Sequence, residues 1–369
     1  MTKVGIYCPS WILGFYNTDQ RLVKSFASIK DFTDIETQFV ADPSHTFSFN
    51  VNRVVERITG RSLSIHHELK KDHQYNDVIY LYGAPSNEDA FYKLAGETPV
   101  FVTVGFMTDD YVRDLFGVLT DRRKEADDLA RKVDKASLIH FHTEGGRQRF
   151  LSYRPEFEEK TVAIPFFLPN MLSSKIQMDR NEAEKDDIHV LFIGREGKRK
   201  GLHDLIEALD SLGSAYLKFH RVHVTVVSKD KPQPKSDINI TWHAALPNNQ
   251  VIQLMQQASI FVLVPRQESY GLVLVEAMMS NCAIITDNDE TRKEILGESG
   301  VYVPYGSSKR IANALGRLVE DKAYMENLGR MAKKRAEHLF HPNVVARQYE
   351  NYFQGMSLKA DYLLEAECV

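Results

Sequence analysis

Short apolar runs separated by longer amphipathic stretches recur along the whole chain, and that alternation leaves little freedom in the fold. In the first half the runs are VGIYC (4–8), TQFVA (37–41), DVIYLY (77–82), PVFVTV (99–104), SLIHFH (137–142) and TVAIPF (161–166). Runs this short, rich in β-branched and aromatic residues, suit strands covered on both faces. The stretches between them, such as 20–30, 50–59 and 121–135, have the length and charge of helices. In the last of these Leu129 and Val133 stand four apart among charged residues, as on a helix with one apolar stripe. Strands alternating with helices in this way specify a parallel sheet with crossover helices.

A second series follows: IHVLFI (188–193), VHVTVVS (222–228), NITWH (239–243), SIFVLV (259–264), CAIIT (282–286) and GVYVP (300–304). The polar, weakly periodic stretch 169–187, with Pro169 and two adjacent serines, reads as the linker between the two series. The expected organisation is an N-terminal Rossmann-like domain over 1–168 and a C-terminal one over 188–340, then a closing helix at 341–357 that packs back toward the N-terminal domain and a tail at 358–369. The fold class is α/β, two doubly wound parallel sheets facing a cleft, since ligands of open parallel sheets sit beyond the carboxyl ends of the strands.

Composition removes several function classes. With 46 Lys plus Arg against 50 Asp plus Glu, and both signs mixed along the chain, there is no general attraction for nucleic acid. The basic cluster Arg122, Arg123, Lys124 could meet anionic headgroups, but Glu125, Asp127 and Asp128 adjoin it, so at most a weak peripheral membrane contact is expected. Cys8, Cys282 and Cys368 are far apart with no CxxC pair, which indicates neither a disulfide framework nor a zinc site and points to a reducing, cytoplasmic setting. The longest apolar runs fall far short of a membrane span, and the N-terminal run is broken by Pro9 and Ser10, so it reads as a first strand and not a signal peptide.

Two loops carry chemistry. In RQESYGLVLVEAMMSN (266–281), Glu268 follows a strand, Gly271 opens the next helix, and Glu276 sits within it among apolar neighbours. A carboxylate there needs a polar partner. A pair of ribose hydroxyls would serve, and so would a narrow solvated stripe shared with Ser280. Gly271 either lets an anion reach the helix's first N–H groups, those of Gly271, Leu272 and Val273, or simply makes a tight turn. The other loop is GREGKRKG (194–201), where Arg195 follows a strand and Lys200 precedes a helix. Two cations at a sheet edge suit a diphosphate, and four cations in eight residues also suit a wet surface loop; the P-loop order is absent. Lys200 reads as a mobile surface lysine with little part in folding.

Taken together and in this order, these stretches resemble the donor-binding half of a GT-B glycosyltransferase of the GT4 kind, also called glycosyl transferases group 1. The resemblance covers FIGREGKRKGLHDLIEAL (192–209), SIFVLVPRQESYGLVLVEAMMSNCAIIT (259–286), EILGESGVYVP (294–304) and FHPNVVARQYENYF (340–353), with Glu268 and Glu276 spaced as that family's E-x7-E. It implies a retaining enzyme that moves a sugar from a nucleotide diphosphate sugar to the hydroxyl of a glycan, lipid or small molecule, without metal or other cofactor. Arg195 and Lys200 would neutralise the diphosphate and Glu268 would contact the sugar. Gly271, Leu272 and Val273 would offer backbone N–H groups, and Glu276 would hold the ribose.

The first half resembles the family less closely. Where the family has a glycine-rich first loop, CPSWILG offers only Gly14; where a histidine usually follows the fourth strand, Gly105 stands; His140 and His142 end the fifth and could face the cleft, with His142 the acceptor-side candidate, although a strand-end histidine is more often structural. These departures keep open a non-catalytic donor-binding subunit of a glycosylation complex. A nucleotide-sugar epimerase on the same architecture would need an acid/base pair that is not evident. Asp287, Asn288 and Asp289 look like a metal-binding DxD, but lie in the wrong fold context and read as a turn-forming acidic loop.

Overall fold

The structure is a computed structural model that describes residues 2–7, 26, 28–39, 76–85, 88–105, 121–167, 187–266, 268 and 270–366. They form two compact units. One takes the described residues up to Phe167 together with those from Phe340 onward, the other those from Asp187 to Leu339. Gly14, Cys8, Cys368, the 50–59 stretch and nearly all of the 169–187 linker lie outside the described residues.

The first unit is a parallel sheet of six strands, β1 (Thr2–Tyr7), β2 (Ile35–Phe39), β3 (Val78–Tyr82), β4 (Val100–Val104), β5 (Leu138–Phe141) and β6 (Thr161–Ala163), in the order β2-β1-β3-β4-β5-β6. Every strand falls inside or within two residues of an apolar run of the sequence, and the inner strands β3 and β4, buried on both faces, have almost no polar position to interrupt theirs. Successive side chains still part to opposite faces. Ile79 and Leu81 point to a core shared with helices α1 (Glu88–Ala95), α2 (Arg122–Val133) and α3 (Glu144–Leu151), whereas Val78 and Tyr80 point to a second core. On α2 the buried stripe is Ala126, Ala130 and Val133, with Leu129 half-buried beside it, and Asp121 caps the helix through the amides of Arg123 and Lys124 at 3.1 and 3.2 Å.

The second core is closed by the end of the chain. Helix Pro342–Ala366 sets Val345, Tyr349 and Phe353, four apart and all at most 1% exposed, against Tyr80, Phe101 and Phe26. Phe26 stacks on Tyr80 at 4.0 Å, and Phe353 meets Phe101 edge-on at 5.0 Å. Burying each of these rings contributes roughly 1.5–3 kcal/mol. The helix runs nine residues beyond the expected end at 357 and takes in most of the expected tail. Gly355 looks like a stop, but no proline follows, and leucine, alanine and glutamate continue the turn.

The second unit repeats the plan with β7 (Ile188–Ile193), β8 (Val222–Val227), β9 (Ile240–His243), β10 (Ile260–Leu263), β11 (Ala283–Asp287) and β12 (Gly300–Val303), all parallel, in the order β12-β11-β10-β7-β8-β9. Two helices of this unit frame the site, one at Leu202–Leu212 after β7 and one at Leu272–Met279 after β10. Strand order reverses between β7 and β10, the place where a doubly wound sheet leaves an opening at its carboxyl edge. Gly329, in helix Lys322–Leu339, is a close-approach glycine: a Cβ there would collide with the carbonyl of Asn281, so that helix lies directly on the turn before β11.

Candidate functional site at the switch point of the second sheet

The loops that follow β7 and β10 are tied to each other. Arg266 donates its backbone N–H to the carbonyl of Arg199 at 2.8 Å, and a Cβ on Gly201 would run into the carbonyl of Val264. Gly201 has φ 84° and ψ 18°, a left-handed conformation that glycine adopts without strain, and it starts helix Leu202–Leu212. The β7 loop is built and not loose: Lys200 N–H donates to the Glu196 carbonyl at 3.0 Å, Leu202 N–H to Gly197 at 2.8 Å, and Lys198 N–H to the Asp230 carboxylate at 3.1 Å.

Across that junction the Lys200 ammonium pairs with the Glu268 carboxylate. Their side chains are 14% and 13% exposed, so Lys200 is not the mobile surface lysine its sequence context suggests. Burial lowers its pKa below the usual lysine range, with Glu268 opposing the shift. Gly271 lies beside Glu268 at φ 95° and ψ 52°, and opens helix Leu272–Met279. That positive φ by itself requires glycine. In the helix Leu274, Val275, Ala277 and Met278 are buried, while Leu272, Val273, Glu276 and Ser280 are half-buried along one side. Ser280 Oγ donates to the Glu276 backbone carbonyl at 2.9 Å, so the two residues do share a face. Arg195 is exposed just past β7.

Asp287 and Asp289 turn out to be held by a residue that sequence reasoning passed over. Arg292, 3% exposed, donates through Nε to Asp287 at 3.0 Å, lies 3.0 Å from Asp289 through Nη2, and donates through Nη1 to the backbone carbonyl of Glu268 at 2.8 Å. Asp289 also caps the helix that starts at Glu290, accepting from Thr291 N–H at 2.8 Å. Burial pushes the Asp287 carboxyl up while Arg292 pulls it down, and burial is the larger. Among the described residues there is no cluster of three His, Cys, Asp or Glu side chains suited to a metal ion.

Neither His140 nor His142 is an exposed side chain. His140 is fully buried: Nε2 lies 2.7 Å from the Ile164 carbonyl, which can only accept, so Nε2 carries the proton. Its Nδ1 lies 2.9 Å from Thr103 Oγ1, itself 2.9 Å from the Tyr80 hydroxyl. Burial lowers the His140 pKa to about 4, and the imidazole is neutral. The expectation that His140 could face a cleft is thereby corrected, since the ring completes a core network that includes Tyr349 at 3.4 Å. His142 is half-buried with its ring stacked on Phe166 at 3.4 Å, its two nitrogens are out of reach of solvent, and burial holds its pKa well below the usual value. Gly105 follows β4 at an exposed position with open space where a Cβ would stand.

Comparison with known proteins bears on the second unit above all. Residues 173–335 match the family model described as glycosyl transferases group 1. The capsular polysaccharide biosynthesis glycosyltransferase CapM of Staphylococcus aureus is 25% identical over 216 residues, 53% of this chain and 56% of CapM. A phosphatidyl-myo-inositol mannosyltransferase of Mycobacterium leprae is 28% identical over 44% of this chain and 46% of its own. The chain thus spans about half the length of these curated relatives. Among solved structures, HepE of Anabaena in complex with UDP and glucose aligns over 96% of this chain and 100% of its own, with a TM-score of 0.64 at 16% identity. Each unit has the parallel-sheet plan of the GT-B fold. No helix among the described residues is long and apolar enough to cross a membrane.

Proposed function

We propose that this chain, whose residues 173–335 are a glycosyl transferases group 1 domain, moves a sugar from a nucleoside diphosphate sugar to the hydroxyl of a glycan or lipid acceptor. The observation that carries the reading is the Lys200–Glu268 pair, which brings the loops after β7 and β10 together at the switch point of one Rossmann-like sheet. Breaking a sugar–phosphate bond builds negative charge on the departing diphosphate, and fixed cations aimed at that charge lower the barrier. When a donor enters, Lys200 exchanges the Glu268 carboxylate for phosphate oxygens, with exposed Arg195 adding a second, forked cation. Glu268, released, accepts from hydroxyls of the donor sugar. Glu276 accepts from the ribose, and the free N–H groups of Gly271, Leu272 and Val273 meet phosphate.

In this proposal the anomeric configuration is retained, and the lysine and arginine supply the positive charge that a metal provides elsewhere. The names of the relatives, one acting in capsular polysaccharide biosynthesis and another a phosphatidyl-myo-inositol mannosyltransferase, support a glycan or lipid acceptor. The test is to incubate the purified protein with UDP-, GDP- and ADP-linked sugars, with and without EDTA, and to measure nucleoside diphosphate release. Release that survives EDTA supports the reading. Tight binding with no release, even with acceptor present, makes the chain a donor-binding subunit instead.

A further inference from the structure

We infer that Arg292 is a positioning residue that fixes the backbone at Glu268 and so aims its carboxylate at the donor sugar; the inference rests on the function proposed above. The guanidinium is used on three sides. Nε and Nη2 lie 3.0 and 3.4 Å from the two oxygens of Asp287, Nη2 lies 3.0 Å from Asp289, and Nη1 reaches the Glu268 carbonyl at 2.8 Å. Asp287 ends β11 and Arg292 lies one turn into the next helix, whereas Glu268 belongs to the loop after the neighbouring strand β10. The side chain therefore bridges two adjacent strand ends, beneath the loop that pairs with Lys200.

A buried ion pair of this kind contributes little to net stability compared with apolar side chains of the same size. What a planar fork does supply is direction. Anchored bidentately on one carboxylate, it presents its remaining N–H at a fixed angle, which a lysine cannot do. The acceptor at that third corner is the main chain of a proposed catalytic residue. Arg292 touches no substrate in this arrangement. It acts through Glu268, and its loss releases a carboxylate whose placement, within about half an ångström, decides whether it helps the sugar part from the diphosphate. The aspartates that look like a metal motif thus have another occupation, orienting this arginine.

The test is Arg292→Lys in the full chain, with Asp289→Asn as a milder companion that keeps the helix-capping oxygen. Amide hydrogen exchange of the segment 264–271, measured without ligand, reads the clamp directly. Turnover of the donor that the unchanged protein processes fastest among UDP-, GDP- and ADP-glucose is set beside affinity for the matching nucleoside diphosphate. In Arg292→Lys the segment is expected to exchange at least tenfold faster and kcat to fall at least tenfold, with nucleoside diphosphate affinity within twofold. Asp289→Asn is expected to change exchange and kcat about threefold in the same sense, and it decides the matter if Arg292→Lys does not fold. Unchanged exchange overturns the inference. So does a parallel fall of kcat, nucleotide affinity and melting temperature, which marks a residue that merely holds the fold. If the unchanged protein neither binds nor turns over any of the probes, the proposed function fails, and the positioning role, which needs a catalytic Glu268, falls with it. Faster exchange would then leave Arg292 only as a structural tie to this loop.

Discussion

Gly201→Ala isolates the contact between the two loops of the site. Gly201 has φ 84°, where an alanine is strained by roughly 1–2 kcal/mol. Its new methyl would also collide with the carbonyl of Val264, so the β7 and β10 loops must part, an overpacking cost of roughly 1–3 kcal/mol. The total, about 2–5 kcal/mol, is a large share of the roughly 5–15 kcal/mol that holds an ordinary domain together. Gly306 is the matched control: its φ is 74°, but nothing lies within 4 Å of the position a Cβ would take, so Gly306→Ala carries the backbone term alone. Urea unfolding followed by Trp242 fluorescence in a Trp11→Phe background should show Gly201→Ala the less stable of the two by about 1–3 kcal/mol. Nucleoside diphosphate affinity should fall only in the Gly201 variant. Equal destabilisation of the two variants would refute the close approach of the loops on which the site depends.

Phe353→Ala should cost about 3–5 kcal/mol in the first unit, because the fully buried ring sits 5.0–6.2 Å from those of Phe101, Tyr80 and Phe26. Val344→Ala, 36% exposed on the same helix, should cost no more than about 0.5 kcal/mol, both variants being read by urea unfolding followed by far-ultraviolet circular dichroism. His140 gives that unit an acid limit. Its native pKa of about 4 lies below the unfolded value near 6.5, so between those values the unfolded chain takes up the proton first. Stability attributable to His140 is thus full above pH 6.5 and declines by up to about 3 kcal/mol as pH falls toward 4. The lowered pKa of His142 acts in the same direction. A His140→Gln variant should show a shallower acid slope of melting temperature than the unchanged protein; an identical slope would contradict the buried, neutral assignment.

Strands such as β3 and β10 were legible because their runs are apolar, and the loops after β7 and β10 stand out by the charged residues and glycines that follow such runs. Elements decided by tertiary contact were less so. Leu129 and Val133 suggest the stripe of α2, yet the residues that touch the sheet most fully include Ala126 and Ala130, small enough for the helix to lie close. His140 reads in sequence as a strand-end histidine that either faces the cleft or is structural, and only the return of Tyr349 and the Ile164 carbonyl decide for the core. Lys200 stands among charges in sequence, where nothing reveals that Glu268, 68 residues away, comes to meet it. Arg292 carried one faint signal, a basic residue just beyond two alternating aspartates. Its third partner is a backbone carbonyl, which no side-chain pattern can announce.

Calorimetric titration of UDP, GDP and ADP into the unchanged protein, Lys200→Ala and Glu276→Ala tests the assignment of the switch-point loops most directly. One nucleoside diphosphate should bind the unchanged protein, and each variant should bind it at least tenfold more weakly, about 1.4 kcal/mol, while its circular dichroism stays the same. Affinity that survives both substitutions unaltered would put the nucleotide, and with it the chemistry, somewhere else.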